Sequence, residues 1–240
     1  VLGVRPHLTA YGIDYQALMA FCLVWGMGGA FISLGLSRIM AKWMLGVKVI
    51  DPKRAHGELG ELVQTVHRLA KSANLPAMPE VGIYDSPEVN AFATGPTKAR
   101  ALVAVSTGLL RRMSRPQMDG VLGHEVAHIA NGDMVTMTLV QGVVNAFVMF
   151  FARVIAFAVS QNVKEESRRM VNFMVTMALE IAFSLLGAMV VAYLSRRREF
   201  RADEGGAKLA GTGSMIDALK ALKRSMETIG AEEHASVATL

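Results

Sequence analysis

Cysteine is almost missing from this chain of 240 residues, with Cys22 the only one. An intramolecular disulfide and a Cys-x-x-Cys metal site are therefore excluded, and any metal must be held by histidine and carboxylate. Charge is scarce as well, at 19% Asp, Glu, Lys and Arg, against about 25% in an average soluble domain. Net charge is +5 and the pI is near 9.5, yet no Lys/Arg stretch is interleaved with aromatics. The basic residues gather beside apolar runs instead, which argues against nucleic acid as a partner and for a lipid bilayer. There is no internal repeat. No signal peptide is visible, and the first residue is Val1 rather than Met, which suggests a chain that starts mid-protein.

What is abundant is apolar. Hydrophobic residues make up 52% of the chain, with 16 Met and 10 Phe, and the mean hydropathy is +0.35. The excess sits in three runs. Ala17–Leu36 has no charge and is long enough for a bilayer core of about 30 Å. Gly26 with Ala30, and Gly29 with Ser33, space small residues for close helix contact in lipid. Met134–Ala152 is also uncharged and continues past Arg153 to Ser160, and Met170–Ser195 carries only Glu180. These two runs predict a membrane hairpin around a polar loop over 161–169. At membrane depth, a long Arg153 could reach Glu180 across the hairpin as a buried ion pair; a proton or ion path is the functional alternative. Arg38, Lys42, Lys48, Lys53 and Arg54 follow the first run and Arg196–Arg198 end the third, so both flanks are expected on the cytoplasmic side. Lys164, Arg168 and Arg169 in the loop weaken that bias.

Between the first and second runs lies a small α+β unit. An amphipathic helix is expected over 51–73, capped by Asp51 with Pro52 at its first position. Short strands are expected over 80–85, 89–94 and 101–106. Ser114 and Gln117 have the spacing of a capping box, starting a helix that runs to about Ala130 and ends at Asn131-Gly132-Asp133. Ser214 with Asp217 begins a last helix, to about Ile229. His7, His56, His67 and His234 show no ligand spacing and read as surface residues.

The helix after Ser114 carries the chemistry. His124 and His128 lie four apart, so both imidazoles share one face and can grip one ion. Glu125 is one step round the helix, where it can take a proton from water. This is the logic of H-E-x-x-H: two ligands and a general base within five residues. A catalytic zinc site needs a third protein ligand. The hairpin leaves from the end of this helix and must return to the same side, which brings Glu199 back near His124 and His128. Asp203, one turn further on, can accept an imidazole N–H and orient a ligand. The alternative for Glu199 and Asp203 is a solvated helix tail. Val89–Thr94, followed by Gly95-Pro96, could offer an exposed strand edge to an extended peptide; an ordinary strand with a turn is the alternative. Arg198 or Arg201 could stabilise an oxyanion, or pair with acids and headgroups.

These residues resemble the HtpX-type membrane metalloproteases, relatives of the CAAX prenyl protease. The resemblance rests on Gly123–Asp133 around the histidines, on Ser195–Asp203, on Asn90–Gly95 and on Leu102–Leu110. It implies one Zn2+ held by His124, His128 and Glu199, Glu125 as the catalytic base, Asp203 in support, and substrate contact along Asn90, Ala91, Phe92 and Ala93. It also implies a bacterial inner membrane, a cytoplasmic active site, and damaged membrane proteins as substrates. Family members have a further transmembrane helix before the first one here and continue beyond Leu240, so both ends are expected to be missing.

The fold class expected is a mainly α membrane protein with a small α+β, zincin-like catalytic domain. Residues 1–14 are read as extracytoplasmic, 15–37 as a transmembrane helix, 38–133 as the cytoplasmic catalytic domain, 134–195 as the hairpin, and 196–240 as a cytoplasmic helical part bringing the third ligand. The rival readings are a prenyl-protein CAAX protease, a non-enzymatic membrane protein with a structural zinc, and a transporter built on Glu180 and Arg153.

Overall fold

The computed structural model describes residues 8–9 and 12–237. A short ladder of β1 (Leu8–Thr9) and β2 (Gly12–Ile13) leads into α1 (Tyr15–Met44). Then come β3 (Lys48–Val49), α2 (Gly57–Ser72), β4 (Glu80–Tyr84), β5 (Ala91–Thr94), a 3-10 turn (Lys98–Arg100) and β6 (Leu102–Ser106). Four helices follow α3 (Thr107–Arg112): α4 (Arg115–Asn131), α5 (Asp133–Ser160), α6 (Glu165–Ala210) and α7 (Thr212–Val237). The chain divides into two compact units, one of residues up to Leu34 with Thr136–Arg196, the other of Gly35–Val135 with Arg197 onward.

The first unit is built from the apolar stretches of α1, α5 and α6. Among the described residues these three helices are long and apolar enough to cross a membrane, by length and composition. Small residues let α1 and α5 touch backbone to backbone: a Cβ on Gly26 would lie 2.7 Å from the Ala146 nitrogen. Gly29, the other expected contact, has open space around it. Leu18, Cys22 and Ala146 are buried at this seam, while Trp25, Phe31, Ile32, Leu185 and Met189 face outward. The ion pair expected in the hairpin is present, with Arg153 Nη1 donating to Glu180 Oε1 at 2.7 Å.

The second unit holds a four-stranded sheet in the order β3-β4-β6-β5, parallel between β4 and β6 and antiparallel elsewhere. Every residue of β6 is buried because both faces of the sheet are covered. On one face α2 and α4 bring Leu62, Val66, Leu69, Leu122, Val126 and Ile129 against Val103 and Val105. On the other, Ala41, Val47 and Phe92 pack with Tyr84, Leu102 and Ala104. Arg38 and Lys42 at the end of α1 both pair with Glu80 at the start of β4. Burial alone would raise the Glu80 carboxyl, but the hydrogen bonds from Arg38 and Lys42 outweigh it and hold it below its ordinary range.

Several boundaries differ from those expected. α2 begins at Gly57, and Asp51 caps a turn before it, accepting from the Lys53 N–H at 3.0 Å. The polar connection of the hairpin shrinks to 161–164, because Glu165–Arg169 already belongs to α6. That helix runs unbroken past Arg196–Arg198 to Ala210, so Glu199 and Asp203 lie one turn apart on it, as expected. Ser214 lies inside α7, which starts at Thr212. His67 is half-buried, its Nε2 3.2 Å from the Pro79 carbonyl, rather than a surface residue. His56 is exposed, and His7 lies outside the described residues.

Candidate active site

The site is built on α4. Its start is fixed as the spacing predicts, by reciprocal hydrogen bonds between Ser114 and Gln117, the Ser114 N–H donating to Oε1 at 3.0 Å. Its end is a left-handed Gly132 (φ 73°), a conformation that costs most residues about 1 kcal/mol or more. Lys98 Nζ donates to the last-turn carbonyl of Ala130. The turn at Gly132 starts α5 at Asp133 and folds that carboxylate back toward the helix it has just left.

The third element is the polar part of α6, which presents Glu199 and Asp203 on one face. A close approach of helices lets it reach α4. A Cβ on Gly206 would sit 2.9 Å from the His124 nitrogen, and one on Gly205 would sit 2.7 Å from the Ala127 Cβ. Ala202, one turn before Gly206, is fully buried.

Three ligand atoms converge there. His124 Nε2 and His128 Nε2 are 3.0 Å apart, and Glu199 Oε2 is 3.2 Å from the first and 3.4 Å from the second. A tetrahedral ion with bonds of about 2.0 Å needs ligand atoms about 3.3 Å apart, so the triangle has the right size. Its chemistry fits as well. His124 Nδ1 donates to Asp203 Oδ1 at 2.8 Å, and His128 Nδ1 donates to Asp133 Oδ2 at 2.7 Å. With both Nδ1 protons committed to carboxylates, both Nε2 atoms turn lone pairs toward each other and toward a carboxylate oxygen. Three acceptors facing one point call for a cation. Among the described residues this is the one such cluster of His, Cys, Asp and Glu.

Glu125 lies beside the triangle and is half-buried. Burial pushes its carboxyl up to about 8, against the pull of the Ala93 N–H, which donates to Oε2 at 2.8 Å. A carboxyl poised near neutral pH suits a group that must both take and return a proton. The Glu199 carboxylate is shared: Oε2 faces the histidines, while Oε1 accepts from Arg198 Nη2 at 2.6 Å. Arg201 reaches Asp133 at 3.7 Å. Both arginines thus pair with acids, the second of the two roles considered for them.

The strand expected beside the site is β5, at the edge of the sheet. The Asn90 carbonyl accepts from Ser106 N at 2.9 Å, which sets the antiparallel alternation. Phe92 and Thr94 bond inward to β6, so Ala91 and Ala93 turn their backbone groups to the free edge. Asn90 and Ala91 line a cavity of about 160 Å³ together with His124, Glu125 and Asp203, with Val121 and Leu222 among its apolar walls. The Phe92 side chain goes the other way, against Tyr84 at 5.6 Å between ring centroids. Asp133 is the site residue that spacing did not find. Read along the chain it belongs to a helix end, and only the left-handed turn at Gly132 brings it to His128.

Comparison with known proteins supplies the family. Residues 58–235 match Peptidase family M48. A protein named Protease HtpX homolog from Bacillus velezensis is 53% identical, over 100% of this chain and 82% of its own length. Another of the same name from Bacillus subtilis is 54% identical over the same shares. The crystal structure of S. mikatae Ste24p matches with a TM-score of 0.58 at 19% identity, covering 85% of this chain and 49% of that one, a likeness of fold. The H-E-x-x-H helix and its acidic partners thus sit inside a match that runs through most of the chain, and the chain belongs to peptidase family M48, as a membrane metalloprotease of the HtpX type.

Proposed function

We propose that this protein is a zinc-dependent endopeptidase of the bacterial inner membrane, acting from the cytoplasmic side on damaged or misfolded membrane proteins. The observation that carries the metal assignment is the triangle of His124 Nε2, His128 Nε2 and Glu199 Oε2, with edges of 3.0, 3.2 and 3.4 Å. Nitrogen and oxygen donors at that spacing suit zinc. The apolar parts of α1, α5 and α6, within 15–37 and 134–195, are assigned to the bilayer. Residues 38–133 and 196–240 are assigned to the cytoplasm and 1–14 to the opposite side, following the basic residues at the helix ends. The quality-control role rests on the family resemblance and fits an enzyme that meets its substrates in the membrane.

His124, His128 and Glu199 hold the ion. When bound, zinc supplies Lewis acidity, polarising the scissile carbonyl and making water easier to deprotonate. Glu125 takes that proton and returns it to the leaving amine. Asp203 and Asp133 keep the Nδ1 protons in place, so that the Nε2 lone pairs stay aimed inward. Arg198 fixes the Glu199 carboxylate from its far side. An extended substrate adds to the free edge of β5 through the backbone of Ala91 and Ala93. As it arrives, Glu125 exchanges the Ala93 N–H for the proton of the attacking water. Asn90 and Ala91 border the cavity that takes a neighbouring side chain, and Phe92 contributes by anchoring the strand.

The test is Glu125→Gln, measured by casein cleavage and by zinc content. Cleavage should fall by about a thousandfold, while zinc stays bound at the wild-type level. Cleavage at the wild-type rate would sink the mechanism. A zinc site that only holds the fold together would leave both variant and wild type without cleavage.

A further inference from the structure

The loop end of the hairpin carries cations that peptide hydrolysis does not use. Arg168 and Arg169 lie in the first turns of α6, directly after the short connection from α5. Glu165 and Glu166 are about one turn away, yet no ion pair engages either arginine among the described residues. The Nε of Arg168 is buried and has no hydrogen-bond partner. Arg168 as a whole is half-buried and Arg169 is exposed, so two guanidinium charges stand without a carboxylate partner among the described residues, where an anion could pair with them.

Both arginines line a cavity of about 470 Å³ within the membrane unit. Asn172 and Gln161 add polar groups to the same wall, and Phe21, Phe157 and Phe173 give it an apolar side. Arg153 also borders the cavity but is held by Glu180 and by the Met149 carbonyl. Among the described residues no acid lines the cavity, so its charged wall is wholly cationic and favours a headgroup of net negative charge. On the membrane reading of α5 and α6, their connection lies at headgroup level, where paired arginines meet phosphates.

We propose that this cavity binds an anionic phospholipid, its phosphate between Arg168 and Arg169 and an acyl chain along the phenylalanines. The site would also explain why this end of the hairpin, expected on the less basic side of the membrane, keeps these arginines.

The experiment uses the full chain purified in detergent. It is incubated with phosphatidylglycerol, with phosphatidylcholine of the same chain length, or with inorganic phosphate. Lipid retention is read by native mass spectrometry and stabilisation by thermal melting. Phosphatidylglycerol should be retained about tenfold or more over phosphatidylcholine and should raise the melting temperature, which inorganic phosphate should not. Arg168→Gln with Arg169→Gln should abolish the preference. If that variant fails to fold, Thr176→Phe, which puts a ring into the cavity and leaves every charge in place, should also abolish it. Equal retention of the two lipids, or an unchanged preference in a folded variant, would overturn the proposal. Equal stabilisation by free phosphate would overturn it too, by making the ligand an inorganic anion. None of these readings depends on zinc or on cleavage.

Discussion

At His124 and His128 one ring nitrogen is already committed to a carboxylate. His124 spends its Nδ1 proton on Asp203 and His128 spends its own on Asp133. Asp133 is only 2% exposed, so its charge is little screened by water. Replacing it with Asn keeps the shape but removes the charge that fixes the tautomer. Asp133→Asn should weaken zinc binding about 10- to 100-fold, measured by competition with a chelator, with the circular dichroism spectrum unchanged. At this scale the histidines and Glu125 were legible, because helical periodicity alone puts i and i+4 on one face. Glu199 and Asp203 were legible through the return of the hairpin. Asp133 was not, because its place depends on one backbone angle at Gly132. The same limit applied at β5: strand character was visible, but which of Asn90 to Ala93 faces the site depends on pairing with β6.

Among the elements, α4 was the easiest to read, since its capping box, its periodicity and its terminal glycine all agree. The helices it packs against were harder. Glycine in a helix interior reads as a weakness worth about 1 kcal/mol, whereas Gly206 is where α6 comes within contact of the His124 backbone. A side chain there must push the two helices apart and draw Glu199 from the histidines. Gly206→Val should cost about 1–3 kcal/mol of stability and lower the zinc content. Gly213→Ala should do neither, because a Cβ at Gly213 meets open space. Comparing zinc content and melting temperature in the two variants checks this. Composition alone does not mark the end of α6, because Arg196–Asp203 is polar but fully compatible with helix.

For the molecule as a whole, the three apolar runs and the basic residues beside them were enough to read a membrane protein with a small α+β part. The division into two compact units falls within two residues of the ends of those runs, at Leu34, Thr136 and Arg196, although α1, α5 and α6 each continue past it. One consequence concerns α6, whose 46 residues carry both an apolar stretch of bilayer length and Glu199. Along such a helix each residue adds about 100° and 1.5 Å, so one alanine inserted between Ser195 and Arg196 turns Glu199 by about 100° about the helix axis relative to the residues before it. That insertion should remove zinc from the purified protein. The same alanine placed between Gln161 and Asn162, where the connection can absorb it, should leave zinc in place. Zinc retained by the first insertion would show that α6 absorbs the extra residue.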